Sequence, residues 1–199
     1  MNIPVTGADG QLGRSLQKIS SGYPGHRFVF TDLPETDITD KAAISNLVAD
    51  HATDLIVNCA GYTAVDRAES EPDAAWRVNA LGPGVLGEVC REQSIHLIHI
   101  STDYIFDGTD DTPLTEDAPP HPLGIYGRTK LEGEHAIRQS GCDAAIIRTS
   151  WLYSEYGRNF VKTMLALGVE RDVLQVAYDQ KGSPTYAGAL ARAILPVAG

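Results

Sequence analysis

A short apolar run near the head of the chain, Asn2-Ile3-Pro4-Val5-Thr6, breaks into Gly7-Ala8-Asp9-Gly10-Gln11-Leu12-Gly13 and passes at once into helical spacing over Arg14–Ile19. A strand, a glycine turn and a helix in immediate succession leave little freedom in how the chain starts to fold. The glycines permit a tight turn. The new helix presents free amides and the positive end of its dipole just past the strand. This is the context of a dinucleotide-binding turn, although the spacing is G-x-x-G-x-x-G instead of G-x-G-x-x-G. Gly7, Gly10 and Gly13 are therefore candidate cofactor-binding residues. Pro4 fits poorly, because a central parallel strand loses a ladder donor there.

The same alternation continues. Arg27–Thr31 reads as a second strand ending at Asp32. Asp32 lies about 20 residues past the glycines, where such folds place an acid on the adenosine ribose hydroxyls. A carboxylate there repels a 2′-phosphate and leans the choice toward NADH over NADPH. Asp37-Ile38 is placed to flank the adenine, and Thr39 or Asp37 to cap a helix over Lys41–His51. Asp54–Ala60 reads as a third strand, buried on both faces. Its small residues Ala60 and Gly61, followed by Tyr62 and Thr63, leave room for a flat cofactor. A long helix is expected from Glu71 or Pro72 through Arg91, with Asn79 inside it.

Ile95–Ile100 is the fourth expected strand, with His96 and His99 read as half-buried strand residues. Ser101-Thr102-Asp103-Tyr104 follows at its C-terminal end, where ligand chemistry collects in an open parallel sheet. After a long loop over Asp107–Leu123, the spacing predicts a helix from Tyr126 to about Gln139. A fifth strand over Ala144–Arg148, a helix over Asn159–Leu167, a sixth strand over Val173–Val176 and a last helix from about Ala187 complete the reading. Six strands alternating with helices predict an α/β fold: a doubly wound, Rossmann-like parallel sheet in three α/β/α layers.

Tyr126 and Lys130 are four residues apart, hence on one helix face. A nearby ammonium favours the phenolate, so the pair is a candidate proton donor with a lowered pKa. Thr102, at the end of the fourth strand, reaches the same sheet edge and is placed to hold a carbonyl oxygen. A hydroxyl, a phenol and an ammonium beside a nicotinamide make a coherent carbonyl-reducing site.

The bulk numbers exclude other classes. A net charge of −10 argues against a nucleic-acid partner. Cys59, Cys90 and Cys142 are widely spaced, which argues against zinc and suits free thiols in a reducing cytoplasm. No metal site is expected. No leader or membrane-spanning stretch is read in the sequence.

Six runs together carry a family likeness: Thr6–Gly13, Asn58–Asp66, Ser101–Gly108, Tyr126–Glu134, Arg148–Tyr153 and Asp179–Thr185. In order and content they resemble the extended short-chain dehydrogenase/reductases over almost the whole chain. The resemblance implies reduction of the C4 ketone of dTDP-4-dehydro-L-rhamnose to dTDP-L-rhamnose with NADPH or NADH. It implies Thr102, Tyr126 and Lys130 as the catalytic set. Val65, Asp103, Tyr104 and Trp151 would line the sugar site. Gly10, Gln11, Leu12, Asp32, Asp37, Ile38, Ala60, Gly61, Tyr62 and Thr63 would hold the nucleotide. Family chains run well beyond 199 residues, so the expectation is a cofactor domain plus the start of a substrate-binding region over about 151–199, with its remainder absent. Some members form homodimers with bound magnesium, for which no ligands are identified here. Pro4 stands where the family has an aliphatic residue. Two other readings share the motifs. One is a nucleotide-sugar epimerase or dehydratase, although dehydratases place Asp-Glu after the Thr and Asp103 is followed by Tyr104. The other is a non-catalytic NADP-binding subunit of the kind that binds methionine adenosyltransferase, against which the intact Thr102/Tyr126/Lys130 set argues.

Overall fold

A computed structural model describes residues 1–109, 112–177 and 180–197; Asp110 and Asp111 of the long loop, and Asp179 of the sixth run, lie outside them. The glycine turn connects β1 (Asn2–Thr6) to α1 (Gln11–Ser20). Then come β2 (Arg27–Thr31), α2 (Lys41–His51), β3 (Leu55–Asn58), α3 (Val65–Ala68), α4 (Pro72–Trp76) and α5 (Gly82–Gln93). β4 (His96–Thr102), α6 (Ile125–Ser140), β5 (Ala144–Thr149), β6 (Leu152–Tyr153), α7 (Phe160–Glu170), β7 (Thr185–Tyr186) and α8 (Ala187–Val197) follow.

The main sheet has five strands, all parallel, in the order β2-β1-β3-β4-β5. Its residues alternate between two cores. Leu55 and Val57 of β3 pack with Leu12 and Leu16 of α1 and with Ala191 and Ile194 of α8. Ile56 faces the other way, onto Ile44 of α2, Leu86 and Val89 of α5 and Ile137 of α6. Helices thus cover both faces, and the doubly wound three-layer architecture is the one the alternation predicts. The winding reverses direction between β1 and β3, which opens a crevice beyond their C-terminal ends.

Several elements differ from expectation. Val173–Val176 is not a strand. Val173 and Val176 are exposed, so the run has no core face to pair over. The two short strands β6 and β7 form a separate parallel pair that the sequence did not announce. The helix expected from Pro72 to Arg91 is interrupted by a π-turn over Arg77–Leu81, and α3 precedes it. α2 is capped by Asp40, whose Oδ1 accepts from the amides of Ala42 and Ala43 at 2.9 and 3.2 Å. Asp37, expected as a cap, is instead committed to Thr39 and Arg77.

Pro4 is accommodated by which side of β1 it faces. Asn2 O accepts from Asp54 N and Thr6 O from Cys59 N, so the even positions of β1 point to β3. The missing donor of Pro4 therefore falls on the β3 side, where strand pairing starts only at Val5. The ladder to β2 is continuous from Asn2 to Thr6.

Candidate functional site

A cavity of about 760 Å³ runs along the C-terminal edge of the sheet, across the crevice between β1 and β3. Its walls carry Gly7, Gly10, Gln11 and Leu12 at one end, then Asp32, Asp37 and Ile38, then Ala60, Gly61, Tyr62, Thr63 and Val65. Thr102, Asp103, Tyr104, Tyr126, Lys130 and Trp151 complete it. Of the residues singled out in the sequence, only Gly13 is not on the wall. A methyl group at Gly13 would overlap Gly7 O and Ala8, so this glycine serves the packing of α1 on the turn.

Gly7 has φ +66°, and a methyl there would overlap the backbone of Cys59 and Ala60. Only glycine allows β1 and the end of β3 to approach this closely while the chain turns. Gly10 caps α1 without any side-chain hydrogen bond, so the first amides of that helix face the cavity. The Gln11 side chain is used internally. It donates to Leu152 O at 3.2 Å and accepts from Asn159 at 2.9 Å, tying the 152–159 segment over the turn. Gln11 thus has only its backbone to offer a ligand. Asp32 accepts from the amides of Asp9 and Leu33, each at 2.9 Å. The Asp37 carboxyl is held below its usual range, first by the Thr39 amide and also by Arg77 at 2.6 Å.

Asn79, in the π-turn, is fully buried. Its Oδ1 accepts from Tyr62 N at 2.8 Å and its Nδ2 donates to Tyr62 O at 3.0 Å, which holds the segment after β3 in place. Sequence reasoning raised this role but could not separate it from a surface asparagine. Arg158 and Asn159 also lie on the cavity wall and were missed, because no glycine turn or motif marks them.

At the other end, α6 starts where Glu69 accepts from Ile125 N at 2.7 Å. Gly127 lets the helix close onto the 3₁₀ turn over Asp103–Ile105, since a methyl there would overlap Tyr104 O. This brings Tyr126 against Tyr104, edge to face with ring centroids 5.4 Å apart, and beside the Thr102 hydroxyl. Thr102 Oγ1 donates to Asp103 Oδ1 and accepts from Tyr104 N, both at 3.2 Å. Trp151 sits at φ +46°, a conformation that costs a bulky residue of order 1–3 kcal/mol. It is packed against Gly182, where any larger residue would meet its ring.

The electrostatics correct one expectation. Burial pushes the Tyr126 phenol up, the Thr102 hydrogen bond opposes this, and Asp103 and Tyr104 reinforce it. Lys130 does not lower it in this state. Its Nζ turns away, to Ile100 O at 2.6 Å and His99 Nε2 at 3.3 Å. Burial takes the Lys130 amine down from its ordinary 10.5 to about 8, against the pull of Glu134 and Cys59. Burial likewise raises the Asp103 carboxyl, with Thr102 opposing. Cys90 is buried and Cys59 and Cys142 are half-buried, all three as free thiols. Among the described residues no group of three or more His, Cys, Asp or Glu could hold a metal ion, and no helix is long and apolar enough to cross a membrane.

The family described as "RmlD substrate binding domain" matches residues 1–199. The dTDP-4-dehydrorhamnose reductase of Aggregatibacter actinomycetemcomitans is 41% identical over 98% of this chain, which covers 66% of that protein. The crystal structure of a dTDP-4-dehydrorhamnose reductase from Clostridium acetobutylicum superposes with a TM-score of 0.94 at 42% identity, over 99% of this chain and 70% of that one. The Bacillus anthracis reductase, solved in complex with NADP, gives 0.95 at 38% identity over 99% of this chain and 70% of that one. The chain spans 59–66% of the length of the first curated relatives it matches.

Proposed function

The chain belongs to the RmlD substrate-binding-domain family, and from that premise we propose that it is the dinucleotide-binding and catalytic part of a dTDP-4-dehydrorhamnose reductase. The reaction is reduction of the C4 ketone of dTDP-4-dehydro-L-rhamnose to dTDP-L-rhamnose with NAD(P)H. One observation carries the reading: Thr102, Tyr126 and Lys130 meet in the same cavity that begins at an uncapped helix N-terminus behind a glycine turn. The named activity of the reductases that share about 40% of its residues supports it.

The residues fit a dinucleotide. The open amides of Gln11 and Leu12 would receive a pyrophosphate, and Gly7 keeps the turn tight enough for it to approach them. Asp32 would accept from ribose hydroxyls, and Asp37, Ile38, Ala60, Gly61, Tyr62 and Thr63 would hold the rest of the dinucleotide. NAD(P)H supplies the hydride when bound. Tyr126 hands its phenolic proton to the ketone oxygen, and a buried, raised phenol is one that still holds its proton for this step. Thr102 turns its hydroxyl to the same oxygen, and Lys130, on the cavity wall, would bind ribose hydroxyls of the cofactor. Val65, Asp103, Tyr104 and Trp151 hold the sugar. Residues up to about 150 form the cofactor domain, and those from about 151 begin the sugar-binding region. The ligand partner is a nucleotide sugar, the compartment the cytoplasm, and the assembly a homodimer.

The test is NADH and NADPH oxidation, followed at the nicotinamide absorbance, with dTDP-4-dehydrorhamnose as substrate. Tyr126→Phe is expected to lower turnover at least about 100-fold with cofactor binding intact. Undiminished turnover in that variant overturns the assignment. A marked preference for NADPH in the same assay overturns the role given to the Asp32 carboxylate.

A further inference from the structure

His99 is fully buried under the cavity and touches Lys130, yet the mechanism above leaves it unused. Its hydrogen-bond partners determine where its proton must be. Ala60 N is a backbone amide and can only donate; it points at Asn58 Oδ1, at 3.0 Å. Thr6 Oγ1 donates to the same oxygen at 2.8 Å. The Asn58 side chain is therefore oriented with Nδ2 outward, 2.9 Å from His99 Nδ1. An amide NH₂ only donates, so His99 Nδ1 must accept. A neutral imidazole that accepts at Nδ1 carries its proton on Nε2, and Nε2 is the atom 3.3 Å from Lys130 Nζ.

That N–H needs an acceptor. An ammonium has none, whereas a neutral amine has one lone pair. The amine also donates to Ile100 O at 2.6 Å, which leaves its second N–H for the cavity. We propose that Thr6, Asn58 and His99 form a buried hydrogen-bond chain that selects the neutral amine of Lys130, making His99 a positioning residue for the lysine. On protonation Lys130 loses its contact with His99 and turns its new N–H toward the cavity. The proton comes from solvent and no other group changes state.

The surroundings agree. The α6 acid one turn beyond Lys130, Glu134, is already occupied: it accepts from Ser101 at 2.6 Å, Arg148 at 2.8 and 3.0 Å and Arg138 at 3.1 Å. From the end of β3 the Lys130 amine meets Cys59, whose thiol burial pushes up to about 12 and so keeps neutral. From β4 it meets His99, held neutral by burial and by Lys130 itself. Lys130 thus has no free counter-ion among these groups. The consequence for the reductase reading, on which its catalytic meaning rests, is that ligand binding which favours the ammonium draws in a proton at Lys130.

The test uses the ligand-free protein and so stands apart from whether it turns over a nucleotide sugar. Nitrogen-15 NMR of ring-labelled histidine is expected to show His99 neutral, protonated at Nε2, and unchanged between about pH 5 and 9. A carbon-13 label at lysine Cε gives the Lys130 midpoint. His99→Met has no N–H to point at the amine and only a weak sulfur acceptor; it is expected to raise that midpoint by about one pH unit, a tenfold change. A proton on Nδ1 of His99, or an unmoved Lys130 midpoint in His99→Met, overturns the proposal. The tautomer measurement needs no variant, so it decides the matter even if His99→Met fails to fold. Absence of NAD(P)H oxidation would sink the reductase reading and leave both NMR results as they are.

Discussion

Lys130 shows at the level of one residue what the site costs the fold. Its side chain is buried and its amine titrates near about 8 instead of 10.5. Between those values the unfolded chain binds a proton that the folded chain does not, so this group's contribution to stability rises with pH across that window. Below about 8 the burial is a penalty of fixed size. Lys130→Met, similar in shape and uncharged, is therefore expected to raise stability at pH 7 by about 2 kcal/mol while removing turnover. The gain should disappear above about pH 10.5. Chemical denaturation of the two proteins at pH 7 and at pH 10.5 checks this; an equal or lower stability of the variant at pH 7 contradicts it. The four-residue spacing of Tyr126 and Lys130 was legible in the sequence. Its electrostatic meaning was not, because the pKa of the phenol depends on burial and on Asp103 and Tyr104, and the lysine looks away from it.

Among the elements, β1 carries the instructive exception. A proline in a central strand reads as an error, yet the alternation of amide directions along the strand sends its missing donor to the side where pairing has not begun. Pro4→Val places an amide on the side where β3 offers no paired acceptor, so it is expected to bring no gain and to cost about 0.4–1 kcal/mol by loosening the unfolded chain. A urea midpoint raised by the substitution refutes this account. α6 illustrates the opposite case. Its helical character was plain from sequence, but its position relies on Gly127 closing over the carbonyl of Tyr104, a contact between residues 23 positions apart. The short pair β6 and β7 was invisible because two residues per strand hold no periodicity to read.

For the whole molecule, the order β2-β1-β3-β4-β5 and the segments that follow its strands bring six separated stretches to one crevice, between two apolar cores on either side of the sheet. α7 stands outside both cores: none of its residues is buried, and Leu165 and Val169 are 68% and 89% exposed. Leu165→Glu is accordingly expected to change the folding free energy of this chain by no more than about 0.5 kcal/mol. A loss of several kcal/mol in thermal unfolding would mean that the helix is packed in solution.

The sequence by itself determined what depends on neighbours along the chain. The glycine turn, the alternation of buried strands with amphipathic helices, and the one-turn spacing of Tyr126 and Lys130 are local patterns, and each can be read from a few consecutive residues. Tertiary structure alone decided what depends on residues distant in sequence. Which way the Asn58 amide faces, hence which nitrogen of His99 carries its proton and what form of Lys130 it favours, follows from Ala60, Thr6, His99 and Lys130 meeting at one point under the sheet edge. Hydrogen-bond donors and acceptors are assigned by who faces whom across strands, and no spacing within one strand records that.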